Sequence, residues 1–163
     1  MLSVFDGLRD VTTLSVFVRL ACALICGGII GIERSYKRRP AGFRTHILIC
    51  IGAAITTLTS QYLYLNMHYF TDMARLGAQV VAGIGFIGAG TIIVTKRQRV
   101  KGLTTAAGLW TSAIIGLTFG GGFYEGGILA TVFIMLAELV FSRIEYRVLE
   151  NVPEINLYME YED

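Results

Sequence analysis

Charge is what this chain has least of. Asp, Glu, Lys and Arg make up 16% of its 163 residues, where a soluble domain carries roughly a quarter. That deficit, with 54% hydrophobic residues and a mean hydropathy of +0.61, excludes an ordinary water-soluble domain and points to a membrane protein. Histidine and cysteine are also scarce. His46 and His68 form no metal pattern with Cys22, Cys26 and Cys50, and all three cysteines lie in apolar runs, so they read as reduced packing residues with no metal site. No Ser–His–Asp set or P-loop is visible. The chain therefore reads as a protein that is not an enzyme, with no cofactor and no nucleic-acid partner. The net charge of +2 says little by itself. No positively charged region precedes the first apolar run, which carries Asp6, Arg9 and Asp10 before it, so that run reads as a mature membrane helix and not a cleaved leader.

What is present is a series of long apolar runs. A membrane helix needs roughly 20 mostly apolar residues. Five stretches qualify: Leu14–Ile32, His46–Leu65, Ala74–Val94, Leu103–Gly120 and Tyr124–Ser142. The expected fold is an all-α polytopic membrane protein with five transmembrane helices. Residues 1–13 read as an external segment, 14–142 as the transmembrane domain, and 143–163 as a cytoplasmic tail.

The connections set the orientation. Arg34, Lys37, Arg38, Arg39 and Arg44 lie between the first two spans, and Lys96, Arg97, Arg99 and Lys101 between the third and fourth. The other two connections are poor in Lys and Arg, and Arg143 and Arg147 follow the fifth span. An excess of positive charge marks cytoplasmic loops, so the N-terminus is expected outside and the C-terminus in the cytoplasm. Tyr62, Tyr64, Tyr69 and Tyr124 gather at the expected outer boundary as an aromatic belt. After Pro153, Ile155, Leu157, Met159 and Tyr161 alternate with other residues, which is a strand pattern. One strand is not stable alone, so the tail either pairs with something else or opens a cytoplasmic domain cut short.

The stretch Gly83-Ile-Gly-Phe-Ile-Gly88 has the glycine spacing of a dinucleotide loop. Such a loop needs a preceding strand and an acidic residue about 20 positions on. Here the chain is uncharged from Leu76 to Thr95, and no Asp or Glu lies between Gly90 and Glu125. The glycines belong to a membrane helix. Small residues let helices approach closely in lipid: Ala74, Ala78, Ala82, Gly83, Gly85, Gly88 and Gly90 in span three, Gly108, Ser112, Gly116 and Gly120 in span four, and Ala23, Gly27 and Gly31 in span one. Gly83, Gly85, Phe86, Gly88 and Gly90 form either a packing surface or a functional centre with a local helix break.

Two further patterns stand out. Gly42 and Gly102, and Thr45 and Thr105, are each 60 residues apart, and each pair opens an inward-to-outward span after a basic loop. This predicts a parallel repeat of hairpins 1–2 and 3–4 with a fifth helix added. Thr45, Thr104 and Thr105 are placed to cap the two helix openings, or to form an anion or headgroup site beside the basic residues. Ionisable groups in a bilayer are costly and often functional. At 1.5 Å per residue, Arg19 lies about 8 Å and Glu138 about 20 Å below the outer boundary. Arg19 is expected to reach Asp72, Glu125 or Gln79, in an outer cluster with Arg75. Glu138 is expected to meet Arg34, Arg44 or Arg143, in an inner cluster with Glu33. These clusters are either ion pairs that tie helices together or a polar route. Arginine matches or outnumbers carboxylate in each, which disfavours a simple Mg²⁺ pore.

Three long motifs, "GGIIGIERSYKRRPAGFRTHIL", "ARLGAQVVAGIGFIGAGTII" and "VKGLTTAAGLWTSAIIGLTFGGGFY", occur in order. Over residues 20 to 142 the chain resembles the MgtC/SapB family of bacterial inner-membrane proteins. The family pattern falls here on Gly31, Glu33, Arg34, Gly42, Arg44, Thr45, Asp72, Arg75, Gln79, Gly83, Gly85, Phe86, Gly88, Gly90, Gly102, Leu103, Thr105 and Trp110. Met73 and Ala82 depart from it, where members often have Pro and Ser. The resemblance implies a multi-pass inner-membrane protein serving magnesium homeostasis, stress adaptation and virulence. It also implies regulation of other membrane machinery such as ATP synthase. Two roles stay open: a non-enzymatic regulator that acts through helix contacts, and an ion transporter or channel for Mg²⁺ or a related ion. Membrane lipid and further copies of the chain are the expected partners, since the small-residue stripes exceed what one five-helix unit needs.

Overall fold

The structure, a computed structural model, describes residues 3–70, 72–95 and 100–150. It is a bundle of helices. A 3₁₀ turn, Ser3–Leu8, precedes α1 (Thr13–Tyr36), α2 (Phe43–Leu65), α3 (Arg75–Ala89), α4 (Leu103–Gly120), α5 (Tyr124–Leu136) and α6 (Ser142–Glu150). One π-helical turn, Ala137–Phe141, joins α5 to α6 without a break. The strand pattern expected at Ile155–Tyr161 and the basic residues Lys96, Arg97 and Arg99 lie outside the described residues.

Among the described residues, four helical stretches are long and apolar enough to cross a membrane: Thr13–Tyr36, Phe43–Leu65, Leu103–Gly120 and Tyr124–Ile144. The first two begin or end a turn outside the expected spans, and the fourth span starts and stops at the expected residues. The third differs. Ala74–Val94 was expected as one span, but α3 has only 15 residues, about 22 Å of rise against a hydrocarbon core of about 30 Å. The helix ends because Gly90 caps it and Thr91 Oγ1 donates to the Gly88 carbonyl at 2.7 Å. The β-branched run that follows suits extended backbone, and Ile93–Val94 pairs antiparallel with Val100–Lys101.

α4 is the axis of the bundle. It packs against α1, α2, α3 and α5, and Leu109, Ala113, Ile115 and Phe119 are buried along it. Its small residues Gly108, Ser112, Gly116 and Gly120 are all buried. A Cβ on Gly116 would strike the Cys50 carbonyl, and one on Gly120 the Ala54 carbonyl, so α4 and α2 touch backbone to backbone. α1 meets α2 in the same way, with Gly27 against Cys50 and Gly31 against the Phe43 backbone. Cys26 and Cys50 are buried free thiols in this core, and Cys22 is half-buried and free.

Two loop ends close the bundle. At one end, Phe5 stacks on Tyr124 with ring centroids 4.9 Å apart. Tyr124 Oη donates to the Leu8 carbonyl at 3.1 Å. Tyr124 is thus fully buried and takes no part in the expected aromatic belt, while Tyr62, Tyr64 and Tyr69 are exposed at the end of α2 or just beyond it. At the opposite end lie the C-terminus of α1 and the starts of α2 and α4, with Arg34, Lys37, Arg38, Arg39 and Arg44. These arginines and Lys37 make it the basic end of the bundle.

Candidate functional site

Neither Gly42 nor Gly102 is followed by a threonine cap. Both glycines are themselves the N-cap residues of α2 and α4, and neither helix start carries a side-chain cap hydrogen bond. Gly102 takes φ +98°, which an L side chain rarely adopts, so the turn from the β-hairpin into α4 requires glycine there. Thr45 is half-buried and Thr104 exposed. Thr105 is buried and turned inward, where its Oγ1 accepts from Arg34 Nη2 at 3.1 Å.

That contact is one strand of a buried network at the basic end. Arg34, 1% exposed, also donates from Nη1 to Glu138 Oε2 at 2.7 Å. Glu138 sits in the π turn after α5, the one place where the helix is widened by a residue. Lys37, one turn beyond Glu33 on α1, pairs with Glu33 Oε1 at 2.6 Å and donates to the Glu138 carbonyl at 2.6 Å and Ser142 Oγ at 3.0 Å. Two cations and two carboxylates thus balance. His46 lies fully buried beside them. Its Nδ1 lies 2.9 Å from the Gly42 carbonyl and must be the donor, and its Nε2 has no hydrogen-bond partner among the described residues and faces Gly108. Glu33 Oε2 likewise has none among the described residues. Of the inner set read from the sequence, Glu33, Arg34 and Glu138 converge. Arg44 is exposed and stands apart.

Arg19 occupies the other end of α1 and is fully buried. Its Nη1 donates to Gln61 Oε1 at 2.7 Å and to the Gly120 carbonyl at 2.9 Å. Its Nη2 donates to the carbonyls of Leu8, 3.2 Å, and Arg9, 2.6 Å. Gly120 ends α4, so the guanidinium sits at the negative end of that helix dipole. The expected grouping with Asp72, Arg75 and Gln79 does not form. Asp72 instead accepts from the Ala74 amide at 2.9 Å, and Arg75 and Gln79 are exposed on α3. The reason is lateral: α1 packs on α2 and α4, not on α3, so depth alone could not choose the partner. Glu125, also expected near Arg19, meets Arg9 Nη2 at 2.7 Å. Desolvation would lower the Arg9 pKa, but the carboxylates of Asp6 and Glu125 outweigh it and the pKa is raised.

The glycines of α3 divide. Gly88 packs on Ala106 of α4, and Gly90 caps α3. Among the described residues nothing stands within 4 Å of a Cβ placed on Gly83 or Gly85, and Phe86 is 86% exposed. The helix is continuous through Gly83–Gly88, so the expected local break is absent and the chain leaves helical geometry only at Gly90. An apolar groove of about 360 Å³ runs between α2 and α3, with Gly52, Gly83 and Ile84 in its walls and Ala113 beneath. Among the described residues, no three of His, Cys, Asp and Glu come together as a metal site.

The sequence profile of the MgtC family matches residues 20–147. The chain belongs to the MgtC family. It is 42% identical over 149 residues to the Escherichia coli K12 protein named "Putative magnesium transporter YhiD", covering 89% of this chain and 69% of that one. It is 37% identical over 131 residues to "Protein MgtC" of Salmonella typhimurium LT2, covering 80% of this chain and 54% of that protein. An uncharacterized Haemophilus influenzae protein is 40% identical over 129 residues, or 76% of this chain and 54% of that one. No solved structure matches the chain significantly. With four membrane-crossing helices, this MgtC family member is a multi-pass protein of the bacterial inner membrane. All seven residues of the buried network lie inside the matched region, whereas Leu8, Arg9 and Arg19 precede it.

Sequence reasoning missed Lys37, His46 and Ser142 in the network and Gln61 as the Arg19 partner. Gln61 carried a usable signal: it is an amide late in an apolar span, and a buried amide needs a partner. Lys37 had none, because it sat among neighbouring basic residues in one loop.

Proposed function

We propose that this protein is a non-enzymatic regulator of other inner-membrane machinery in magnesium homeostasis and stress adaptation, acting through helix contacts. The observation that carries this reading is the open face of α3. Gly83 and Gly85 present bare backbone with nothing against it among the described residues, and Ala78, Gln79 and Ala82 are exposed on the same helix. In lipid, small residues bring helices together and an amide side chain seeks a hydrogen-bond partner across the contact. The occupant is a second copy of the chain or a helix of the regulated protein. The basic end faces the cytoplasm, in keeping with the positive-inside rule. Hairpins α1–α2 and α3–α4 are parallel repeats, consistent with the shared N-cap role of Gly42 and Gly102.

An Ala82→Cys variant is expected to crosslink in native membranes to another copy or a second membrane protein, where the parent chain does not. Gly83→Leu is expected to abolish that crosslink and the low-magnesium phenotype while leaving expression intact. Crosslinking and phenotype both unchanged in Gly83→Leu would defeat the proposal.

The second reading, an ion transporter, is favoured by one observation: Glu33, Arg34, Lys37 and Glu138 form a buried network at the basic end. The E. coli relative's name points the same way. Against it, every carboxylate there is matched by a cation, whereas Mg²⁺ requires oxygen ligands free to replace some of its waters. Flux in liposomes separates the two. The regulator reading expects no saturable Mg²⁺ or proton flux; such a flux lost in Glu33→Gln would establish the transporter.

A further inference from the structure

Beside the buried network, on its outer side, lies a concave pocket of about 340 Å³ lined by Lys37, Arg39, Ser142, Arg143 and Arg147. Its volume falls at the lower end of the range for small-ligand sites. Two separate segments build it: the end of α1 with the turn after it, and α6. Arg38 takes φ +52°, a left-handed conformation uncommon for a residue other than glycine. That turn is fixed by the Arg39 amide donating to the Arg34 carbonyl at 3.0 Å, and it carries Arg39 back against α6.

Four cationic side chains therefore face one cavity. The nearby carboxylates Glu33 and Glu138 are already engaged with Lys37 and Arg34. The Arg39 and Arg143 guanidinium groups make no hydrogen bond or ion pair among the described residues. Depth adds a second constraint. The apolar crossing stretch ends at Ile144, so Arg143 and Ser142 stand where hydrocarbon gives way to headgroups. Guanidinium groups present planar pairs of donors that match phosphate oxygens, and basic pockets at this level hold anionic headgroups.

We propose that this pocket is a phosphate-binding site, occupied by the phosphodiester of an anionic lipid or by a soluble phosphate. Arg39 and Arg143 grip the anion, Ser142 Oγ and Lys37 complete the wall, and the site shares Lys37 and Ser142 with the buried Arg34–Glu138 network. Occupancy of the pocket and the geometry of the network are thereby linked.

The test uses the full chain in phosphatidylcholine nanodiscs doped with phosphatidylglycerol, with retained lipid counted by native mass spectrometry. The double variant Arg39→Gln/Arg143→Gln is expected to lose retained phosphatidylglycerol by roughly tenfold. The control Arg38→Gln/Arg44→Gln, which removes the same charge from the same end outside the pocket, is expected to change it by less than about threefold. Arg39→Lys/Arg143→Lys keeps the charge and is expected to retain most of the binding, which separates loss of the site from loss of fold. Equal losses in the pocket pair and the control pair, or no loss in either, would overturn the proposal. Inorganic phosphate assigns the source while supporting the site. Displacement of the lipid by phosphate in the parent chain but not in the double variant indicates a soluble phosphate ligand. Retention of the lipid in excess phosphate indicates the headgroup.

Discussion

Helix α1 carries a buried arginine towards each end, and the two are held in different ways. Arg19 spends its charge on three main-chain carbonyls and one amide, with no carboxylate in contact among the described residues. Arg34 spends it on the Glu138 carboxylate and the Thr105 hydroxyl. The first arrangement is a staple. It ties the N-terminal segment and the end of α4 to α1, and three of its four acceptors are backbone carbonyls that no side-chain substitution or pH change removes. The second is a pair of opposite charges, each of which exists in that place only because the other does. A staple suits a structural joint. A pair that can be broken from either side suits a place where the protein must respond, and it sits beside the basic pocket and inside the region shared with the family.

The largest expected effect tests the staple. Arg19→Met keeps the unbranched apolar stem but strands the buried acceptors of the guanidinium, each worth about 1–3 kcal/mol when left unpaired. Unfolding in detergent should show a loss of at least about 4 kcal/mol, and adding Gln61→Leu should restore almost none of it, because three of the acceptors are carbonyls. Arg34→Met should cost about 3–5 kcal/mol by leaving Glu138 uncompensated. Here the second substitution matters: Arg34→Met/Glu138→Met should recover most of that loss, since a buried pair replaced by apolar side chains is often close to neutral. If the Arg34 cycle showed no recovery, or the Arg19 cycle showed full recovery, the distinction between staple and pair would collapse. The smallest effect belongs to the rim of the staple. Glu125→Gln removes a partly exposed pair with Arg9 and should lower stability by no more than about 1 kcal/mol, measured in the same unfolding assay.

Much of this was legible from residues alone, and the reasons are specific. The spans could be read because a bilayer demands about 20 apolar residues whatever else the chain does. Glu138 could be matched to Arg34 because depth left few candidates at that level. Depth did not help with Arg19, since Gln61 and Gln79 lie at similar levels and only the lateral order of helices separates them. The small-residue stripes looked alike in spans one, three and four, yet α1 and α4 close theirs on α2 while α3 leaves Gly83 and Gly85 open. A stripe says that a helix can be approached closely. It does not say by which neighbour, or whether that neighbour is in the same chain.

The sequence by itself determined the solvent, the helices and the family. Those rest on hydrophobicity, charge-free length and ordered motifs, all of which are local. The tertiary structure decided which polar groups are partners, where the third helix stops, which glycines are filled and where Lys37 and Ser142 join the buried network. Each of these depends on which helices lie side by side. That order is set by the sum of close backbone contacts around α4, a property of the packed whole that no segment carries alone.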